Sequence, residues 1–313
     1  MRRAFIFPGQ GSQAVGMGRE LAAAFPDARH VLEEVDEALK QKLTKLMFEG
    51  PDDELTLTEN AQPALMAVSL AVLRVLETQG GLNMADAAAY VAGHSLGEYS
   101  ALAAARSLKV DDCARLLKTR GQAMQRAVGV GEGAMAALLG LSLEDAIAAA
   151  EQAAENEVCA AANDNSDGQV VISGNKAAVE RAIDIAKEKG AKRAMLLPVS
   201  APFHCALMQP AADAMADALE RVEIAAPVVP VVSNVTAAAV SDEETIRKLL
   251  IEQITGMVRW RESMLFLREQ EVDTLVELGA GKVLSGLARR IDKEFSVSAI
   301  GEPADVEAFL ESI

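Results

Sequence analysis

Apolar positions along the chain follow two rhythms. Short runs bounded by Gly or Pro mark buried strands, and a spacing of three and four residues marks helices. Residues 4–7 form the first run. Pro8-Gly9-Gln10-Gly11-Ser12-Gln13 then breaks it into a Gly-rich turn ahead of a helical pattern near 18–25. Over 60–79 the spacing is helical, with Pro63 placed in a first turn, where its missing N–H has no partner to lose. Residues 89–92 predict a strand running into Gly93-His94-Ser95-Leu96-Gly97, and another helix starts near Glu98. A helix over 110–127 carries Arg120 and Met124 four residues apart, on one face.

The stretch 129–199 has its own order: an apolar run at 134–141, a helix at 143–154, runs at 157–163 and 169–173, a helix at 175–189 and a run at 192–199. This is β-α-β-β-α-β, the ferredoxin-like unit, which buries one sheet face under two helices and can fold as an insertion. Beyond it come a nonperiodic stretch from Pro198 to Pro210, a helix to about 221, a strand at 228–234, a helix from 242 and a strand at 272–278. The expected organisation is therefore a large unit of 1–128 with 200–313, interrupted by a small unit of 129–199. The class is α/β: an α/β-hydrolase-like core with a mainly parallel sheet, plus the inserted ferredoxin-like subdomain.

Composition supports this class. Half of the 313 residues are apolar and only 4% aromatic, which suits helices packed on a buried sheet better than an all-β sandwich. The net charge of -16 comes with no dense block of Lys or Arg, so nucleic acid is not an expected partner. No uninterrupted apolar stretch is long enough for a membrane span, and the run behind Met1-Arg2-Arg3 is stopped by Pro8, too short for a signal sequence. A cytoplasmic protein without membrane contact is expected. Cys113, Cys159 and Cys205 are widely separated with no C-x-x-C pair, so free thiols are expected and neither a disulfide framework nor a metal site.

Gly93-His94-Ser95-Leu96-Gly97 is a G-x-S-x-G segment between a strand and a helix. That is the context of a nucleophile elbow, in which small residues let the chain turn sharply and lift a serine hydroxyl clear of the sheet. A Gly-rich turn whose serine merely caps the helix is the bland alternative. A serine needs a base within hydrogen-bond reach, and the chain has three histidines. His30 lies in a charged helical stretch and reads as surface. His94 adjoins the serine, where the backbone directs it elsewhere. His204 remains, in the nonperiodic Ser200-Ala201-Pro202-Phe203-His204-Cys205, and Ser before His is the chain order of α/β hydrolases. The carboxylates between Ser95 and His204 fall mostly in the inserted unit, so a Ser-Asp-His triad is not supported. A backbone carbonyl would serve to hold the imidazole tautomer.

Taken together, Phe7-Pro8-Gly9-Gln10-Gly11-Ser12-Gln13, Gly93-His94-Ser95-Leu96-Gly97-Glu98-Tyr99, Arg120-Gly121 and Pro202-Phe203-His204 resemble the malonyl-CoA:acyl carrier protein transacylases in order and spacing over essentially the full chain. The resemblance implies that Ser95 attacks a thioester with His204 as base. It also implies that the backbone amides of Gln10 and Leu96 form the oxyanion hole, and that the main-chain carbonyl of Gln253 orients His204. Preorganised oxyanion donors are each worth roughly 3 kcal/mol of barrier, and a tight Gly-Gln-Gly loop can supply one.

Arg120 matches the family motif and is the selectivity candidate. A guanidinium grips a malonyl carboxylate by two parallel hydrogen bonds and, if buried, rejects an acetyl group that leaves its donors unpaired. Met124, one turn along, lines the same pocket or packs in the core. Phe203 crowds an α-methyl branch or is ordinary packing. The resemblance further implies ping-pong transfer from malonyl-CoA as substrate to acyl carrier protein, in fatty-acid biosynthesis, with no metal or bound cofactor. The length of a free-standing enzyme points to a monomer. Acyl carrier proteins are acidic, so a local basic patch is expected from among Arg115, Lys118, Lys189, Lys192, Arg193, Arg289 and Arg290. A serine hydrolase or thioesterase, and a non-catalytic acyl-CoA-binding adaptor, are the competing readings.

Overall fold

A computed structural model describes residues 2–312. Its strands are β1 (Arg3–Phe7), β2 (Tyr90–Gly93), β3 (Gly133–Leu139), β4 (Cys159–Ser166), β5 (Gln169–Asn175), β6 (Arg193–Leu196), β7 (Val231–Val232), β8 (Ala239–Val240), β9 (Thr274–Leu278) and β10 (Ser296–Ile300). They form two sheets. The larger has the order β10-β9-β1-β2-β7-β8 and is parallel except for the β7–β8 pair. The fold is α/β with a mainly parallel sheet, as the strand-helix alternation predicts.

The first apolar run shows why this sheet is buried. Side chains alternate across a strand, so Phe5 and Phe7 enter one core while Ala4 and Ile6 enter another on the opposite face. All four are fully buried, and each large one contributes about 1.5–3 kcal/mol. The Phe5 side is covered by the helix Thr58–Gly80 through Leu65, Val68 and Val72; the Ile6 side is covered by Trp260, Met264 and Leu267. Length and composition alone would let Thr58–Gly80 cross a membrane, but most of it is buried inside the protein.

The smaller sheet, in the order β4-β5-β3-β6, is antiparallel throughout. The helices Leu143–Ala154 and Lys176–Glu188 close one face with an alanine-rich core that includes Ala146, Ala150, Ile172 and Ala182. Its other face sends Met135, Ala162 and Val171 into the large core. This is the β-α-β-β-α-β order and pairing expected of a ferredoxin-like unit.

Several features depart from the sequence pattern. The helix expected over 60–79 begins at Thr58, so Pro63 lies inside it rather than in its first turn. The strand expected over 228–234 contracts to Val231–Val232, because Pro230 has no N–H and contributes only its carbonyl, which accepts from the Val91 amide at 3.1 Å. The pattern does not mark β8, β10 or the helices Leu43–Glu49, Asp52–Thr56, Met84–Ala87, Trp260–Glu269, Val283–Ile291 and Pro303–Leu310. β10 is an edge strand with alternating Ser, which blurs its apolar run.

Candidate active site

β1 and β2 run parallel with Phe7 opposite Gly93, so the loops that follow them leave the same end of the sheet side by side. That is where open α/β sheets place ligands. The His94 amide donates to the Phe7 carbonyl at 3.0 Å and locks the two exits together. Only glycine fits around the turn. A Cβ on Gly93 would lie 1.9 Å from the Gly97 carbonyl carbon, and one on Gly97 would lie 2.3 Å from the Phe7 oxygen. Ser95 itself takes φ 53°, the strained conformation of an elbow, directly before the helix Gly97–Ala104.

His204 arrives on the segment after β6, also at positive φ (56°), and is buried. Its Nε2 lies 2.8 Å from Ser95 Oγ and its Nδ1 2.9 Å from the Gln253 main-chain carbonyl. A carbonyl can only accept, so Nδ1 carries the proton and Nε2 offers its lone pair to the serine hydroxyl. Burial, followed by the Arg120 charge, pushes the imidazole down to about 3, so it stays a free base at neutral pH. His94 points away, with its Nε2 2.8 Å from Asn165 Oδ1 of β4; His30 is exposed.

Arg120 is almost completely buried. One terminal nitrogen donates to Gln62 Oε1 at 2.9 Å; the other donates to Gln253 Oε1 at 2.9 Å and to Ser95 Oγ at 3.2 Å. The Tyr99 ring lies 5.7 Å beneath the guanidinium carbon. Ser95 Oγ therefore accepts from Arg120 while it donates to His204. Gly121 permits the approach of this helix, since a Cβ there would lie 2.5 Å from Glu59 Cα.

These groups face a cavity of about 480 Å³. Gln10, Leu96, Met124 and Phe203 line it with Ser95, Arg120 and His204, and Asn163, Asn165 and Val171 close it from the small sheet. The catalytic and acyl-pocket candidates from the sequence line this cavity, except Gln253, whose carbonyl meets His204 from behind; the basic candidates and the cysteines do not line it. Among the described residues neither the Gln10 nor the Leu96 amide has a protein acceptor, and Gly11 holds the first loop by donating to Gln13 Oε1 at 2.7 Å. Met124 is buried and also takes a contact from Gln62 Nε2 at 3.7 Å, so pocket lining and core packing are both true of it.

Two buried groups escaped the sequence reading. Glu98 Oε2 accepts from Gln253 Nε2 at 2.8 Å and from the Asn234 amide at 3.1 Å. Asn234 Oδ1 accepts the Ser95 amide at 2.7 Å while its Nδ2 donates to the Gly93 carbonyl at 2.7 Å, clamping both sides of the elbow. A lone carboxylate in Gly97–Ala104, a helix otherwise made of small or apolar residues and wholly buried, was the available signal for Glu98. Asn234 carries none.

Among the described residues no group of three or more His, Cys, Asp and Glu could hold a metal ion, and the three cysteines are free and buried. Of the basic candidates, Arg115 pairs with Asp111 and Asp112, and Lys118 with Glu59. Arg289 donates to the Val297 carbonyl and Arg290 to Gln169. Lys189, Lys192 and Arg193 are exposed and have no ion pair among the described residues.

The acyl transferase domain family matches residues 4–298. The chain is 47% identical over 308 residues to the malonyl CoA-acyl carrier protein transacylase of Escherichia coli K12, covering 98% of each. The chain belongs to this transacylase family. It is 44% identical to the Bacillus subtilis protein of the same name, covering 99% of this chain and 96% of that one. Among solved structures, the acyl-carrier-protein-S-malonyltransferase of Bartonella henselae is similar at a TM-score of 0.97 and 57% identity, over 100% of this chain and 99% of that one. A malonyl-transacylase solved in complex with a type II polyketide acyl-carrier protein is similar at 0.96 and 44%, over the whole of both chains.

Proposed function

We propose that this protein transfers a malonyl group from malonyl-CoA to the phosphopantetheine thiol of acyl carrier protein, through an ester on Ser95, for fatty-acid synthesis. The observation that carries the proposal is the buried Arg120 guanidinium donating to Ser95 Oγ. It is a cation inside the pocket of a nucleophile, suited to an acyl group that ends in a carboxylate.

In the first half-reaction Ser95 Oγ attacks the thioester carbon and its proton passes to His204 Nε2, while the carbonyl oxygen becomes an oxyanion held by the Gln10 and Leu96 amides. Collapse breaks the C–S bond, and the sulfur leaves as coenzyme A with the proton from His204. In the second, the carrier thiol gives its proton to His204 and attacks the ester, and Ser95 recovers the proton as it departs. The Gln253 carbonyl keeps Nδ1 protonated throughout. Met124 and Phe203 bound the acyl chain. No metal or resident cofactor has a part in this cycle.

Further parts of the reading concern the whole chain. The large unit, 1–128 with 200–313, supplies the chemistry and the small unit, 129–199, roofs the pocket. The protein works as a cytoplasmic monomer. With a net charge of -16 it meets an acidic carrier through a local patch, for which Lys189, Lys192 and Arg193 have no ion pair among the described residues and come just before the pocket-lining Leu197 and Val199 in the chain.

Intact-mass measurement after brief mixing with malonyl-CoA tests the central claim. One malonyl adduct is expected, absent from Ser95→Ala, discharged by acyl carrier protein faster than by water. No adduct would mean an acyl-CoA-binding adaptor, and equal discharge with and without carrier a thioesterase.

A further inference from the structure

Arg120 is a buried cation, and the buried carboxylate that faces it is Glu98, one side chain away. Gln253 lies between them. Its Nε2 faces acceptors only, Glu98 Oε2 at 2.8 Å and the Ser95 carbonyl at 3.0 Å, so its Oε1 must face Arg120, at 2.9 Å. The amide is therefore oriented by the carboxylate at one end and reads the guanidinium at the other. Glu98 is 3% exposed, Gln253 is 0% and Arg120 is 1%, so bulk solvent screens the charges only weakly.

An acyl carboxylate bound at Arg120 brings a second anion into this enclosure. One buried cation cannot balance two buried anions, and the anion with the weaker hold is the one that neutralises. Glu98 has that weaker hold, because Gln253 separates it from Arg120 whereas an acyl carboxylate would touch the guanidinium directly. We propose that Glu98 is the resting counter-charge of Arg120 and takes up a proton from solvent when the carboxylate of the acyl substrate replaces it.

This rests on the malonyl reading above. Glu98 is already poised for the exchange: burial pushes its carboxyl up to about 7, against the lowering contributions of the Asn234 and Gln253 hydrogen bonds and the Arg120 charge. The charged and titratable groups that face it are Arg120, on the helix Val110–Arg126, and Tyr99, its neighbour on its own helix. Asn234, Ser233 and Gln253 complete the surround as uncharged groups. Proton uptake makes malonyl binding weaken as pH rises above about 7, approaching tenfold per pH unit, whereas an uncharged acyl group shows no such slope. Glu98 would thus set how strongly the Arg120 pocket holds a carboxylate, besides positioning Gln253.

The test is calorimetric titration of the full-length Ser95→Ala protein with malonyl-CoA and with acetyl-CoA at pH 8, in two buffers of different ionisation enthalpy. The coenzyme is common to both ligands, so the difference isolates the carboxylate. The expected result is uptake approaching one proton with malonyl-CoA, none with acetyl-CoA, and loss of the uptake on adding E98Q, which keeps an acceptor oxygen for Gln253 and Asn234. Equal uptake with both ligands, no uptake, or uptake that survives E98Q overturns the proposal. Should E98Q fail to fold, infrared difference spectra of protein labelled with ¹³C-glutamate decide: a protonated-carboxyl band must appear with malonyl-CoA and not with acetyl-CoA. If the protein forms no malonyl ester, the functional reading itself has failed. If the ester forms without proton uptake, only this inference has.

Discussion

Arg120 can reach three acceptors at once only because a guanidinium is planar and forked: Gln62, Gln253 and Ser95 Oγ are all within 3.2 Å of its two terminal nitrogens. Removing it takes a carboxylate's partner and leaves two glutamine oxygens without their donor. Arg120→Ala should lower kcat/KM for malonyl transfer about 100-fold or more, the few kcal/mol of an unpaired charge-assisted contact, and alter acetyl transfer far less. Arg120→Lys should fall between, since one ammonium cannot span all three acceptors. Equal losses for the two acyl groups in steady-state assays would remove Arg120 from selectivity. His204 makes a second residue-level prediction. Because burial and Arg120 hold it down to about 3, it remains neutral as pH falls past 6.5, where the unfolded chain's imidazole takes a proton. The unfolded state then binds more protons, so this group contributes stability that is present above about 6.5 and declines below it. Catalysis should behave oppositely: acylation of Ser95 by an uncharged acyl donor should stay flat from pH 8 to 5, and an acid limb near 6.5 in stopped-flow traces would contradict the assignment. Ser95 and His204 were legible because their residue types and setting announce chemistry, whereas Arg120 stood out only through its match to the family motif, since most helix arginines are solvated. Gln253 was reached through family resemblance alone, since its carbonyl contact to His204 spans 49 positions and depends on the backbone rather than the side chain. Glu98 and Asn234 stayed hidden because their role is to hold other groups.

At the scale of elements, the site depends on how closely the helices Val110–Arg126 and Thr58–Gly80 can approach. Gly121, beside Arg120, makes that contact, and a Cβ there would meet only backbone: 2.5 Å from Glu59 Cα and 2.7 Å from the Thr58 carbonyl oxygen. Backbone cannot rotate away as a side chain can, so the helices must move apart. Gly121→Ala should destabilise the fold by about 1–3 kcal/mol, read as a lower denaturant midpoint. It should also stretch the Gln62–Arg120 bond that crosses the same interface, so malonyl transfer should suffer more than acetyl transfer; an unchanged midpoint would show that the interface is looser than described. The same elements show where periodicity succeeds and fails. The helix expected over 143–154 is Leu143–Ala154, because an alanine stripe on one face and a Ser142 cap leave its limits unambiguous. Pro63 misled because a proline inside a long buried helix is tolerated when packing on all sides outweighs one lost hydrogen bond.

For the whole molecule, the pocket is a space between two sheets, so its shape depends on what fastens one to the other. β4 is the fastener. The Asp164 amide donates to the Val258 carbonyl at 2.9 Å and the Val258 amide to the Ala162 carbonyl at 2.8 Å, just beyond the helix that carries Gln253. Asn165, the next residue, meets His94 beside the nucleophile. Between these contacts the buried Asp164 side chain takes a two-oxygen grip on Arg261 Nε at 2.9 and 3.1 Å. Burial outweighs that cation and holds the Asp164 carboxyl above the usual carboxylate range, so the pair is tense rather than strongly stabilising. Asp164→Ala should therefore cost only about 1–2 kcal/mol, because Arg261 is partly exposed and regains water. Its larger effect should be local: faster amide exchange through 159–166 with β1 and β9 unchanged, and a shift in the fluorescence of Trp260, the single tryptophan, which packs 5.6 Å from His94. If exchange instead accelerates equally in both sheets, the two open as one cooperative body, and the small sheet cannot act as a separately yielding roof over the serine.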